Sequence, residues 1–336
     1  SLQALMWEVR LQLAPWYSVC RMTGFMGRDH VYCIAEIGSN HGGSLDGALA
    51  LIDAAAGAGA DAAKFQAGHA DHVYDPTQFP DEHASFKKWI EPTLGWLPQL
   101  AERCQQRGID FGCSAFCFDA LDAVDLYVKW HKVASIEATW VEYVAEVVLR
   151  RKPFLISTGG LASETAQRHL LRSVRTAVRR KTKAVGAPHL SLLDSGFGWL
   201  QCTLAYPASI EESDLRAIRR MGFGTFIVGL SDHTTHPTIA PCAAVALGAT
   251  VIEKHIRPEM MTLYDDGNHV VLGDPAYMFP HPPSMPPDWT HSLSPSQFRE
   301  MVEAIRLTEK ALGSSEKRIR ESEKPYLKYR RGPRGL

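Results

Sequence analysis

The sequence predicts an α/β fold, a (β/α)8 barrel preceded by an N-terminal extension. Three observations carry this. Short apolar or β-branched runs alternate with helix-like segments from residue 31 onward, and such alternation means a parallel sheet. About eight such units in roughly 280 residues is what a closed barrel requires. Nearly every run ends in polar residues, as barrel strands do where they meet the open mouth. A doubly wound sheet is the runner-up, but "EIGSNHGG" after the first run does not fit the G-x-G-x-x-G turn usual there.

The expected strands are "VYCIAEI" (31–37), "DAAKFQ" (61–66), "IDFGCSA" (109–115), "HKVAS" (131–135), "PFLIST" (153–158), "WLQCT" (199–203), "FIVGLS" (226–231) and "TVIEKH" (250–255). Among the helices, "LDGALALIDAAAGAGA" is Ala/Leu-rich with a period near 3.6, and "WLPQLAERCQQRG" closes at Gly108. "EESDLRAIRRMG" starts on acids and ends on bases, as the helix dipole prefers. "SPSQFREMVEAIRLTEKALG" opens with Ser294 as N-cap, Pro295 at N1 and Gln297 at N3, a capping box, and closes at Gly313. Long loops are expected at 67–90, after the second strand, and at 258–293, after the eighth. Both would lie on the face where barrel enzymes place their sites. The domain reading is an extension at 1–30, a catalytic barrel at 31–315 and a tail at 316–336.

With 336 residues, 45% hydrophobic and 22% charged, the chain has an ordinary globular balance. A net charge of −1 leaves no basic field for nucleic acid or anionic membrane. No run of about 18 apolar residues suggests a span, and the mildly apolar N-terminus is broken by Glu8, Arg10 and Pro15. Seven scattered cysteines argue against a disulfide framework and for a reducing, cytoplasmic setting.

The strand-end residues are Glu36; Lys64 and Gln66; Ser114; Lys132, Ser135 and Glu137; Ser157 and Thr158; Thr203 and Tyr206; Ser231, Asp232 and His233; Glu253, Lys254 and His255. Any one of them reads more readily as a strand end meeting water, but the set does not. Lys64 and Lys132 weigh against it, because they sit inside apolar strands, where an unpartnered charge costs several kcal/mol. Two such lysines among serines suggest an anion site for a phosphate and a carboxylate. His255 follows His233 by 22 residues, one βα repeat, so the two imidazoles should be neighbours across the mouth. Such a pair suits a divalent metal. In "SDHTTH" (231–236), Asp232 and Thr234 are expected to shape the turn or orient His233, and His236 is not expected to be a ligand.

These residues resemble the sialic acid (N-acetylneuraminate) synthase family, including legionaminate and pseudaminate synthases. The blocks are "IAEIGSNHGG", "GADAAKFQ", "KVASIEA", "ISTGG", "QCTLAYP", "GLSDHT", "ALGATVIEKHI" and "PPDWTHSLSPSQF". Together they run from about residue 31 to 325 in matching order and spacing. The resemblance implies a barrel enzyme that condenses phosphoenolpyruvate with an aldehyde sugar of the N-acyl hexosamine type. Carbon 3 attacks the aldehyde, water attacks carbon 2, and phosphate leaves by C–O cleavage. A divalent metal, first manganese, otherwise magnesium, cobalt or iron, polarises the aldehyde oxygen.

By position, the resemblance implies that Lys64, Ser114, Lys132, Ser135, Ser157 and Ser231 hold phosphoenolpyruvate, with Lys132 counted among the catalytic residues. It implies His233 and His255 for the metal, and Glu137 with Glu36 for protons. Gln66 and Tyr206 would line the sugar site, and Asp288 would face sugar and metal, with Asp265 or Asp266 as competitors.

The sequence departs from the family in four places. Leu204 stands where the family has a polar residue near the phosphate, and Ser114 stands for the usual Thr. The 67–90 loop matches poorly. "KYRRGPRGL" falls about where the family's antifreeze-like domain begins, a domain that helps hold the dimer and lends an arginine to the partner's sugar site. The expectation is a barrel without that domain, a homodimer left open, and no nucleic-acid or membrane partner. Two other functions stay open: a Schiff-base aldolase using Lys132 or Lys64, and a non-catalytic phosphoenolpyruvate-binding barrel.

Overall fold

The computed structural model describes residues 25–27, 29–185, 196–222, 227–259, 261–263, 269–271 and 286–332. Eight parallel strands close into a barrel in sequence order: β1 (Tyr32–Glu36), β2 (Ala62–Ala67), β3 (Asp110–Ala115), β4 (His131–Val133), β5 (Phe154–Ser157), β6 (Phe197–Cys202), β7 (Ile227–Asp232) and β8 (Val251–His255). β8 pairs back on β1, placing Glu36 beside both His255 and Lys64. The doubly wound alternative is therefore excluded. The strands are buried on both faces, which is why they read as nearly continuous apolar runs.

Alternation along each strand separates two cores. One set of side chains faces the helices and forms the main core, among them Cys33, Ala35, Ala63, Phe65, Phe111, Ile156 and Trp199. The other set fills the barrel: Tyr32, Ile34, Ala62, Trp130, Leu155, Leu200, Ile227 and Val251, joined by Phe25 from below. Gly112 makes room for the Trp130 indole, since a Cβ there would lie 2.8 Å from its ring. With the floor sealed by large apolar groups, the polar strand ends can only meet at the opposite rim.

The helices are α1 (Leu45–Gly57), α2 (Ala70–Val73), α3 (Pro80–Trp89), α4 (Leu97–Arg107), α5 (Phe118–Asp125), α6 (Val141–Leu149), α7 (Glu164–Ala184), α8 (Ile239–Ala246) and α9 (Pro295–Leu312). The capping box at α9 forms as expected, with Ser294 and Gln297 exchanging side-chain and backbone bonds. Two readings need correction. Residues 67–90 are not a plain loop, because α2 and α3 lie within them, Pro80 opening α3 and Asp81 and Glu82 filling its first turn. Residues 211–222 are not an α-helix but two 3-10 segments, Ile210–Glu212 and Leu215–Arg220.

The long 258–293 segment contains a short hairpin, β9 (Met261–Leu263) with β10 (His269–Val271), and a 3-10 turn at Trp289–His291. Asp265 and Asp266 lie outside the described residues. So does residue 1–24 of the extension, whose described end supplies Phe25 to the barrel floor. The cysteines among the described residues are free. No helix among those residues is long and apolar enough to cross a membrane.

Candidate active site

The lysines that seemed unpartnered in the sequence are ion-paired. Lys64 Nζ lies 2.6 Å from Glu36 Oε2 and 3.8 Å from Glu253 Oε1, and donates to Ser114 Oγ at 3.1 Å. Lys132 Nζ lies 3.3 Å from the same Glu253 oxygen, to which Ser231 Oγ also donates at 3.2 Å. The Glu253 carboxylate is thus wedged between two ammonium groups at the barrel centre, all three nearly inaccessible to solvent. Burial would lower Lys64, but Glu253 and Glu36 outweigh it and raise its pKa, so the ammonium stays charged. Burial would raise Glu253, but Lys132 and Lys64 hold it below the carboxylate range. Glu36 goes the other way: burial pushes it up against the pull of Lys64, and the neighbouring Glu253 adds to the rise. Of the two carboxylates around Lys64, Glu36 is the one able to carry a proton.

The serines divide by what they touch. Ser135 Oγ accepts from Gly159 N at 3.1 Å and donates to Cys202 Sγ. Ser157 Oγ is buried with no hydrogen-bond partner. Glu137 sits on a 3-10 turn at the rim, and burial pushes its carboxyl up to about 7 against the opposing pull of Lys132.

On the other side of the rim lie three histidines. His233 Nδ1 donates to the Thr203 carbonyl at 2.8 Å, so Nε2 is the nitrogen left for another partner; burial would lower the ring's pKa, but Cys202 and Thr203 outweigh it and raise it. The His233 and His255 rings are 5.6 Å apart between centroids, so the pair predicted by spacing does meet. The group of potential metal donors that lies closest together among the described residues is different. It comprises His255, Asp288 and His291, whose ligand atoms all lie within 4.8 Å of one another. His255 Nδ1 and both nitrogens of His291 are buried without hydrogen-bond partners. Burial, followed by the neighbouring histidines, drives His255 well down, and burial drives His291 down to about 3, so both rings are neutral. Neutral imidazoles beside a carboxylate fit a divalent ion.

Asp288 is placed by the first βα turn. Its Oδ2 accepts from Ser39 N at 2.7 Å and Ser39 Oγ at 2.8 Å. Gly38 has φ +52°, and a Cβ on it would lie 2.2 Å from that same oxygen, so only glycine allows the approach. Asn40 Nδ2 bonds Ser292 Oγ at 2.7 Å and the Ile256 carbonyl at 2.9 Å, tying the Asp288 turn to the end of β8. The block "EIGSNHGG" is therefore a clamp on the turn around Asp288.

Gln66 donates to Glu36 Oε1 at 2.7 Å. Tyr206, half-exposed, lays its ring 4.2 Å from that of His233 and 5.1 Å from that of His291. A cavity of about 560 Å³ opens at the rim between Gln66, Tyr74, Phe86, Glu137, Trp140, Leu204, Tyr206, His255, Asp288 and His291. Leu204 therefore faces the site, beside Ser135 and Gly159. Asp232 does not orient His233. It accepts from Thr234 N at 2.9 Å and pairs with the fully buried Lys254 at 2.7 Å, on the helix-facing side of the sheet. His236 is exposed and caps the next turn through Nδ1, away from the cluster. Among the site residues with no assigned role in the sequence are Glu253 and His291, besides Ser39 of the clamp and Tyr74, Phe86 and Trp140 of the cavity. Glu253 could have been suspected from "EKH", since two buried lysines need a carboxylate; nothing in the sequence marks His291.

The NeuB family profile matches residues 51–268. The chain is 32% identical over 302 residues to the spore coat polysaccharide biosynthesis protein SpsE of Bacillus subtilis, covering 85% of this chain and 70% of that protein. It is 31% identical over 308 residues to the N,N'-diacetyllegionaminic acid synthase of Legionella pneumophila, covering 88% and 76%. Among solved structures, the N-acetylneuraminic acid synthetase of Leptospira borgpetersenii superposes with a TM-score of 0.67 at 26% identity, covering 89% and 91%. A phospho-2-dehydro-3-deoxyheptonate aldolase of Thermotoga maritima, at 14% identity and TM-score 0.58 over 84% and 71% of the two chains, shares the fold. By the matched profile and these relatives, the chain belongs to the NeuB family.

Proposed function

We propose that this protein joins phosphoenolpyruvate to an aldehyde sugar of the N-acyl hexosamine type, releasing phosphate and a sialic-acid-like 2-keto sugar acid. The observation that carries the reading is the buried Lys64–Glu253–Lys132 group, which Lys64 joins through Glu36 and Gln66 to the cavity lined by His255, Asp288 and His291. Lys64 and Lys132 hold the phosphate and carboxylate, sharing their charge with Glu253, while Ser114, Ser135, Ser157 and Ser231 supply hydroxyls. Ser157 Oγ is the one already lacking a partner among those four.

His233 and His255, beside Asp288, would hold a divalent ion, manganese first, which would supply a Lewis acid for the aldehyde oxygen. The protein's own groups handle the protons. Carbon 3 of the enol phosphate bonds to the aldehyde carbon, whose oxygen takes a proton. Water adds to carbon 2 and gives up a proton; the carbon 2–oxygen bond to phosphate then breaks as the new hydroxyl becomes the 2-keto group and its proton passes to the departing phosphate. Glu137 and Glu36, both raised by burial, are matched to that traffic near neutral pH. Gln66 and Tyr206 line the acceptor side. On Lys64 the aldolase reading is weaker, because that lysine is held as an ammonium and a Schiff base needs the free amine.

The test offers metal-loaded protein phosphoenolpyruvate labelled with 18O at the bridging oxygen, together with a panel of N-acyl hexosamines. Phosphate should appear only with an acceptor, carry the label, and stop with chelator. Absence of phosphate release with every aldehyde would sink the proposal. A borohydride-trapped pyruvate adduct would favour the aldolase instead.

A further inference from the structure

His291 is 1% exposed, and neither ring nitrogen has a hydrogen-bond partner. A buried imidazole without a partner is costly, and an apolar side chain would fill the same space more cheaply. Its ring lies 4.4 Å from that of His255, and its Nε2 is 3.7 Å from Asp288 Oδ1. The 3-10 turn Trp289–His291 explains the approach: at three residues per turn, positions i and i+3 stack, so Asp288 and His291 present their heads together. The Ser39 clamp holds Asp288 from the other side.

From this geometry we infer that His291 is a ligand of the divalent ion, so that His255, Asp288 and His291 form the core of its shell. The inference rests on the metal-dependent reading above but adds a ligand and a consequence. An extra imidazole enriches the shell in nitrogen, which shifts its preference toward cobalt, nickel, zinc and iron(II) relative to the manganese expected on two imidazoles alone. His233, 5.7 Å from His291 between ring centroids, then faces the ion from across the rim.

Chelator-stripped wild type, His291→Asn, His291→Leu and His255→Ala proteins are titrated with Co2+, following the visible d–d band and the heat of binding. Circular dichroism of the metal-free forms checks folding, and the asparagine variant decides if the leucine variant does not fold. Wild type should bind one Co2+ per chain. Both His291 variants should bind more than about 10-fold more weakly, since even a supporting residue costs that much, and with an altered band. The ratio of Co2+ to Mn2+ affinity should fall with the lost imidazole. If the His291 variants keep wild-type affinity and spectrum while His255→Ala loses Co2+, His291 only packs against Tyr206 and the inference is overturned alone. If wild type binds no Co2+, both the inference and the metal-dependent reading fail. An unchanged Co2+ to Mn2+ ratio overturns the selectivity.

Discussion

Glu253 neutralises two buried lysines at once, and that makes its replacement informative. Glu253→Gln leaves Lys64 with Glu36 and leaves Lys132 without its carboxylate. An uncompensated buried charge costs about 3–5 kcal/mol, so the variant should melt earlier than wild type. Inorganic phosphate should then raise its melting temperature more than that of wild type, a difference readable in a thermal-shift series. Glu137 invites a pH experiment. Its folded pKa near 7 exceeds the unfolded value, so the folded state favours the protonated form. Stability from this group is full below about pH 4.5 and is lost as pH rises through 7, on the order of 3 kcal/mol in all. Glu137→Gln should flatten that slope in urea unfolding between pH 4.5 and 8 while lowering kcat by about 100- to 10,000-fold. At this scale the sequence was informative where one βα repeat fixes the spacing, as for His233 and His255. It was silent on His291, whose approach depends on a 3-10 turn after a long stretch without periodic pattern. It misjudged the lysines because Glu36 is set beside Lys64 only by the pairing of β1 with β2, and Glu253 on β8 reaches Lys64 and Lys132 only once the barrel closes.

Among the elements, the strands were legible because burial on both faces leaves an apolar run that no helix interrupts. The 211–222 segment was not, since its end charges suit a helix dipole while its apolar residues Leu215, Ile218 and Met221 recur every third position, the 3-10 period. The 67–90 segment hid α2 and α3 because both are short and mostly exposed. The most consequential connection is the β1–α1 turn, where Gly38, Ser39 and Asn40 grip the Asp288 turn. Gly38→Ala should place a methyl where Asp288 Oδ2 now sits and strain a left-handed residue. Left-handed backbone at alanine costs about 1–2 kcal/mol, so the fold should survive. A displacement of about 1 Å at a reacting group can cost 100-fold, so kcat should fall on that order while the melting temperature drops only slightly.

For the whole molecule, the barrel is closed at the floor and open at the rim. Phe25 packs edge-on against Tyr32 at 5.1 Å and Trp130 at 5.7 Å, sealing the floor. Phe25→Ala should destabilise by about 3–5 kcal/mol in denaturant titration, with KM for phosphoenolpyruvate unchanged, because the cavity is remote from the rim. The rim itself is built from two kinds of part. Lys64, Ser114, Lys132, Ser157, Ser231 and Glu253 all stand on strands, locked by ladder hydrogen bonds on both sides. Tyr74, Ser85, Phe86 and Trp89, which line an adjoining cavity of about 420 Å³, stand on the inserted segment between β2 and α4. Changing a strand residue disturbs two neighbours in the ladder; the insert joins no ladder and packs through Phe86 and Trp89 in a small cluster with Ala70 and Ile90. If the proposed reaction holds, a descendant of this protein can acquire a taste for a new sugar by rewriting one short passage of its gene, while the passages that would grip the enol phosphate are copied forward intact.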